Sequence, residues 1–145
     1  MKHAALGCAL CAVLVAGAAS AAGPPSGTVR GRILVDPLAV NVFVPAGPMK
    51  AGKDFAIRAS VANTGPNVVE NIAVTLVVTP VVVLRQPPTQ VVRRLGRASV
   101  ADVLWDACAA GAGGYVVMAR ASSGPFTVES TGQVVQVTAV KKAAC

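Results

Sequence analysis

Histidine is almost missing from this chain, because its one histidine, His3, lies among the first 22 of 145 residues. Histidine is the side chain most used for proton transfer near neutral pH, and it is the commonest metal ligand. Without it beyond residue 22, a catalytic triad cannot be built. Carboxylates are also few: Asp102 and Asp106 lie on one predicted strand, roughly 13 Å apart, which is too far for a glycosidase pair.

Aromatic residues make up 3% of the sequence and charged residues 13%. Base stacking on clustered aromatics, as in single-strand nucleic-acid binding, therefore has little support. The sequence contains no glycine-rich phosphate loop, no cysteine set with zinc spacing and no calcium-loop pattern. We predict that the protein is not an enzyme, has no cofactor or metal and does not bind nucleic acid.

The first 22 residues have the pattern of a secretory signal peptide. Lys2 gives a positive start, an apolar run extends from Ala4 to Ala18, and small residues follow at Ala19-Ser20-Ala21. An uncleaved membrane anchor and lipid attachment at Cys8 are the alternatives. We expect an exported protein, periplasmic or extracellular, with no stable membrane span after processing. Removing Lys2 from the 13 basic residues leaves 12 against 6 acidic ones.

Residues 23–27, rich in proline and glycine, predict a flexible leader, and residues 28–145 predict one all-β domain. Its short runs of β-branched residues are separated by Gly, Pro and Asn, which is typical of a sandwich or barrel. The predicted strands are Val29–Val35, Leu38–Val44, Asp54–Asn63, Glu70–Thr79, Val81–Leu84, Gln90–Leu95, Val100–Cys108, Tyr115–Ala121 and Gln133–Val140.

Alternation shows which face of each strand is buried. One side of the Asp54–Asn63 run is apolar, from Phe55 to Val61, while Arg58 and Ser60 share the other side. Val77-Val78 and Val81-Val82-Val83 are apolar on both sides. We expect a strand buried on both faces there; a surface covered by a partner is the alternative.

Two cysteines, Cys108 and Cys145, would remain after cleavage. Cysteines in an oxidising compartment usually pair, so we predict a disulfide between them. Two free thiols, or a link from Cys145 to another chain, remain open. A disulfide would close a loop of 37 residues and stabilise the domain by roughly 4 kcal/mol in the chain-entropy model.

Three segments carry a family resemblance: Ala51-Gly52-Lys53-Asp54-Phe55, Val61-Ala62-Asn63-Thr64-Gly65 and Asn71-Ile72-Ala73-Val74-Thr75-Leu76. With Gly114-Tyr115-Val116-Val117 and Val128-Glu129-Ser130, they resemble bacterial immunoglobulin-like modules of the CARDB (cell adhesion related domain) type, over about Leu38 to Val140. Gly65 can take the positive φ of a turn, and Asn63 can hydrogen-bond its own turn.

The resemblance implies an immunoglobulin-like antiparallel β-sandwich of about 7–9 strands. Tyr115 would start strand F, either as a tyrosine corner bonded to the preceding loop or as an ordinary core residue. Cys108 would close strand E and Cys145 would follow strand G, which places both at the same end of the sandwich. CARDB modules usually occur as repeats in larger surface proteins, whereas this chain carries a single copy.

Arg93-Arg94, with Arg97 nearby and Lys141-Lys142 further on, form a basic cluster that could attract anionic surface polymers or membrane headgroups. It could also simply be a solvated face that discourages edge pairing. We predict a non-catalytic module that binds an envelope or extracellular protein or glycan. One alternative is a structural accessory or spacer subunit of an envelope assembly. A second is a hydrolase that works without histidine.

Overall fold

The computed structural model describes residues 36–145, and these form ten β-strands and no helix. The signal peptide predicted at 1–22, the leader at 23–27 and the strand at Val29–Val35 lie outside the described residues. Within residues 36–145, no helix is long and apolar enough to cross a membrane. The strands are β1 (Leu38–Phe43), β2 (Met49–Lys50), β3 (Asp54–Asn63), β4 (Val69–Val78), β5 (Val82–Leu84), β6 (Thr89–Leu95), β7 (Val100–Ala109), β8 (Gly113–Ser123), β9 (Phe126–Glu129) and β10 (Gln133–Thr138).

Two sheets make up the domain. The four-stranded sheet has the order β1-β3-β7-β5, and the other has the order β2-β10-β8-β4-β6, with β9 also paired to β8. Every pair is antiparallel except β2 with β10, which is parallel. The all-β, two-layered class predicted from the sequence is therefore confirmed, with ten strands instead of 7–9.

The two strands that were not predicted from the sequence are β2 and β9. β2 has two residues, Met49 and Lys50, which is too short to show an alternation. β9 and β10 lie along the same edge of β8, and the chain leaves that edge at Ser130. There the buried Ser130 hydroxyl accepts a hydrogen bond from the Ala119 N–H at 2.9 Å, and the Ser130 N–H donates to the Ala119 carbonyl at 2.8 Å. These two bonds satisfy both backbone groups of Ala119 at the break.

The core lies between the sheets and is built from the inward side of each alternation. On β3 this side runs from Phe55 to Val61, as predicted. Trp105 of β7 is fully buried, and its indole N–H donates to the Pro87 carbonyl at 3.0 Å. Truncating such a residue typically costs about 3–5 kcal/mol, so Trp105 is a major source of stability.

The expectation of a strand buried on both faces was wrong at Val77 and Val83. β4 is central in its sheet, but Val77 points outward and is 45% exposed, and Val83 on β5 is 40% exposed. The inward neighbour Val82 is buried. The sandwich has two layers, so only one face of each sheet is covered within the described part of the chain.

One end of the sandwich, the disulfide end, consists of the turn 50–53, the hairpin 109–113 and the tail 139–145. The sulfurs of Cys108 and Cys145 are 2.09 Å apart and the Cα atoms 5.7 Å apart, so the two cysteines form a disulfide. Near this end Tyr115 donates its hydroxyl to the Ala112 carbonyl at 2.9 Å, which is the bond expected of a tyrosine corner.

The opposite end, the Asn63 end, consists of residues 36–37, 63–68 and 95–99. Asn63 is 1% exposed; its amide nitrogen lies within 2.7–3.1 Å of the Asn67, Leu95 and Gly96 carbonyls. Its amide oxygen accepts from the Gly65 N–H at 3.0 Å, as predicted for a residue that bonds its own turn.

Gly65 does not have the positive φ that was expected from the sequence. A Cβ at this position would lie 2.7 Å from Cβ of Pro37, so the glycine is required by close packing.

Candidate binding surface

The outer face of the four-stranded sheet carries one row of large side chains. The register aligns Phe43 of β1, Arg58 of β3 and Leu104 of β7 across the three strands. Phe43 is 45% exposed and Leu104 58%. The guanidinium carbon of Arg58 lies 4.6 Å from the centroid of the Phe43 ring, a cation–π distance. The row therefore offers apolar and aromatic surface around a positioned cation.

A polar row lies beside the first. Asn41, Ser60 and Asp102 are cross-strand neighbours, and the Ser60 hydroxyl donates to the Asp102 carboxylate. Arg58 Nη1 lies 3.7 Å from Asp102 Oδ2 and so connects the two rows. An exposed ion pair of this kind contributes little to stability, but it limits the directions in which both side chains can point.

An open groove of about 430 Å³ continues this face past the edge of β1. Asn41 and Phe43 line one side, and Thr131 and Gln133 line the other. The polar groups of the Asn41, Thr131 and Gln133 side chains form no hydrogen bond with another described residue, which leaves them available to a bound molecule. This face therefore has an apolar centre and a polar margin, which is the usual composition of protein interfaces.

The outer face of the other sheet is more uniformly apolar. Val77, Met118, Val116 and Val134 are neighbours in the β4–β8–β10 register, and Val134 is 52% exposed. A shallow cavity of about 150 Å³ lies between Val77, Met118 and the ion pair of Arg120 with Glu129.

The predicted anion-binding residues Arg93, Arg94 and Arg97 lie near the Asn63 end, and all three are exposed. Consecutive residues of a strand normally point to opposite faces. Arg93 and Arg94 are both exposed, because Val92 and Leu95 on either side of them both point toward the core. On β4 the facing residue Asn71 has a φ of 52°, which marks the same irregularity. None of the three arginines forms an ion pair with a residue in 36–145. Their anion binding stays a prediction.

Asp102 and Asp106 do not share a site. Asp102 contacts Ser60 and Arg58, whereas Asp106 accepts a hydrogen bond from the Gln86 side chain at 2.7 Å. Within the range 36–145, no group of three or more His, Cys, Asp or Glu residues is arranged to hold a metal ion.

The row Phe43–Arg58–Leu104 was missed in the sequence, although part of its signal was present. Leu104 lies between Asp102 and Asp106 along a strand whose outward side is otherwise polar there. An outward leucine marks an exposed apolar spot, but its neighbours depend on strand register, which the sequence did not give.

Comparisons with solved structures place this sandwich among known folds. A CARDB domain from Pyrococcus furiosus, determined in complex with di-metal ions, superimposes with a TM-score of 0.58 at 18% identity, over 70% of this chain and 87% of that domain. The fold is that of a CARDB-type immunoglobulin-like module. This confirms the resemblance at the level of fold. No family model and no curated protein sequence matches the chain.

Two other structures share the architecture. Native α2-macroglobulin from Escherichia coli, from domain MG7 to its C-terminus, gives a TM-score of 0.60 at 14% identity, over 72% of this chain and 17% of that one. The C-terminal domain of Wzt gives 0.51 at 9% identity, over 74% and 77%. At these identities the likeness shows the fold alone.

Proposed function

We propose that this chain is an exported, non-catalytic binding module that contacts a protein partner at the cell envelope or exterior. The contact is made by the outer face of β1, β3 and β7. The observation that carries the proposal is the row Phe43–Arg58–Leu104, because aromatic residues and arginine are enriched in protein interfaces. The disulfide supports export, since such bonds persist in oxidising compartments.

The exposed apolar side chains of this face suit a protein partner better than a glycan. Leu104 and Val100, at 58% and 63% exposure, add aliphatic surface that gains from burial against another apolar surface. The amides of Asn41 and Gln133 lie at its margin, where protein interfaces are usually polar. A glycan partner is thus an alternative outcome of the test, not the proposal.

A photo-reactive residue at position 104 tests the proposal in the organism that makes the protein. Position 91 is the matched control, because Val91 is 60% exposed on the outer face of the other sheet. We expect a discrete protein adduct from position 104 and none from position 91. Leu104→Asp should weaken binding of the purified partner at least tenfold, whereas Val91→Asp should not change it. Equal adducts from both positions, or a glycan as the retained molecule, would contradict the proposal.

The apolar face of the other sheet favours a second candidate, a structural accessory subunit. Val77, Val116 and Val134 would be covered by an assembly partner or a second copy. In that case the native protein should be an obligate oligomer that Val134→Asp dissociates. A monodisperse monomer that binds no hydrophobic dye would contradict this candidate and leave the first.

A further inference from the structure

The disulfide end carries four exposed lysines. Lys50 and Lys53 are the first and last residues of a turn, in which the Lys53 N–H donates to the Lys50 carbonyl at 3.2 Å. Lys141 and Lys142 belong to the tail that follows β10. The two pairs are about 90 residues apart along the chain, so no local charge pattern groups them.

Four contacts bring the two lysine pairs together. β2 and β10 pair in parallel, with Lys50 beside Thr138, and the Ala51 N–H donates to the Thr138 carbonyl at 3.0 Å. Beyond the lysines, the tail backbone crosses Gly52: a Cβ on Gly52 would lie 3.0 Å from the Ala144 nitrogen. The disulfide of Cys145 with Cys108 then holds the last residue of the tail against β7.

The charge of these lysines is not compensated locally. None of the four forms an ion pair with any residue the structure describes. Asp54, which follows Lys53 in the chain, is engaged by Arg85, whose Nη2 lies 2.9 Å from Asp54 Oδ1. Like charges gathered on one end repel each other, so a multivalent anion there would be attracted.

We propose that the disulfide end is a docking site for a membrane surface rich in anionic phospholipids, which it binds through the lipid phosphates. Clusters of about four to eight basic residues beside a membrane-spanning helix or on an amphipathic helix bind such surfaces, and the four lysines of this end present a similar number of charges. The lysines lie on a blunt end instead of lining a cavity, and the exposed Val140 beside Lys141 adds an apolar contact. This site is separate from the β1–β3–β7 face, and the inference does not rest on the proposed function.

Vesicle partitioning of the purified, oxidised protein tests this inference. The probes are vesicles of 30% phosphatidylglycerol in phosphatidylcholine and vesicles of phosphatidylcholine alone, with soluble polyphosphate and inorganic phosphate as competitors. The variants are Lys50→Gln with Lys53→Gln, Lys141→Gln with Lys142→Gln, and the control Arg120→Gln, an exposed arginine on the outer face of the β4–β8 pair. Each lysine near an anionic surface contributes about a fivefold gain in partitioning, so each lysine pair should cost about 25-fold.

The outcomes separate a lipid site from other sources of binding. We expect the protein to bind anionic vesicles only, and replacing either lysine pair with glutamine should weaken this binding to a similar extent. The Lys141→Arg with Lys142→Arg variant should keep its binding, and added salt should weaken the binding of the wild-type protein steeply. The arginine control should lose less than threefold. Equal binding to neutral vesicles, a loss from one lysine pair alone, or an equal loss in the arginine control would overturn the inference. So would tighter binding to polyphosphate than to the vesicles. Unchanged thermal unfolding checks that each variant is folded.

Discussion

The two ends of the sandwich are closed by different physical means. At the disulfide end, one covalent bond ties the tail to β7, and the exposed cations are lysines. At the Asn63 end, one buried side-chain amide lies within hydrogen-bond distance of four backbone groups in 63–67 and 95–96, and the exposed cation is Arg97.

The difference shows what each kind of closure requires. A hydrogen-bonded closure needs full burial and good geometry, because a buried group left without a partner costs about 1–3 kcal/mol. A covalent closure restricts the unfolded chain and tolerates an exposed, irregular tail. The disulfide end can therefore gather four like charges, whereas Asn63 organises the turn that carries Arg97.

The largest expected effect is loss of the covalent closure. Replacing both Cys108 and Cys145 with alanine should lower the free energy of unfolding by about 4 kcal/mol, because a loop of 37 residues is no longer closed in the unfolded chain. Urea unfolding of the oxidised protein and of the variant measures this difference. Reductant should destabilise the wild-type protein by a similar amount and leave the variant unchanged. A decrease in the free energy of unfolding of less than about 1 kcal/mol would mean that the disulfide does not hold this end, and the two ends would not differ in the way described.

Removing the amide that closes the other end should cost about 3 kcal/mol. Asn63→Ala removes this partner from the Leu95 carbonyl in a buried site and from the Gly65 N–H in a part-buried one. Asn41→Ala is the matched control, since Asn41 is exposed and should change stability by less than about 0.5 kcal/mol. Equal effects in the two variants, measured by urea unfolding, would mean that the Asn63 network does not hold this end.

A smaller effect isolates the contact between tail and turn. Gly52 has a φ of 74° and Gly47 a φ of 89°, but only Gly52 has the tail within 4 Å of its absent Cβ. Gly52→Ala should cost about 2 kcal/mol, and Gly47→Ala about 1 kcal/mol from the backbone alone. The difference should disappear when Cys108 and Cys145 are replaced, because the tail can then move. If the difference persists without the disulfide, the tail is not what crowds Gly52.

Much of the fold could be predicted from local pattern. The alternation in β3 gave both its limits and its buried face, because each inward position from Phe55 to Val61 is apolar. The outward exposure of Val77 could not be predicted, since a valine fits either face of a sheet. Whether the outer face is buried depends on the number of layers in the fold, which the local pattern does not show. Gly65 was assigned a positive φ on local grounds, but the neighbour that requires glycine there, Pro37, is 28 residues away.

The proposed contact surfaces could be predicted less well from the sequence, because each is formed by segments that are distant along the chain. Arg58 and Asp102 could be placed on outward sides, yet their contact requires the β3–β7 register. Arg93 and Arg94 could be seen as a cluster, but their joint exposure comes from an irregularity at Asn71 that alternation does not foresee. The lysine cluster depends on the path of the tail over Gly52, which no periodic pattern encodes.

Amide hydrogen exchange tests most directly that each end is held by its own closure. The reporters are the Gly52 N–H, which donates to the Ala109 carbonyl at 2.9 Å, and the Gly65 N–H, which donates to Asn63. Replacing Cys108 and Cys145 should lower the protection of Gly52 further than that of Gly65, and Asn63→Ala should reverse the order. Equal decreases at both amides in both variants would show that the ends open together, and would contradict the account.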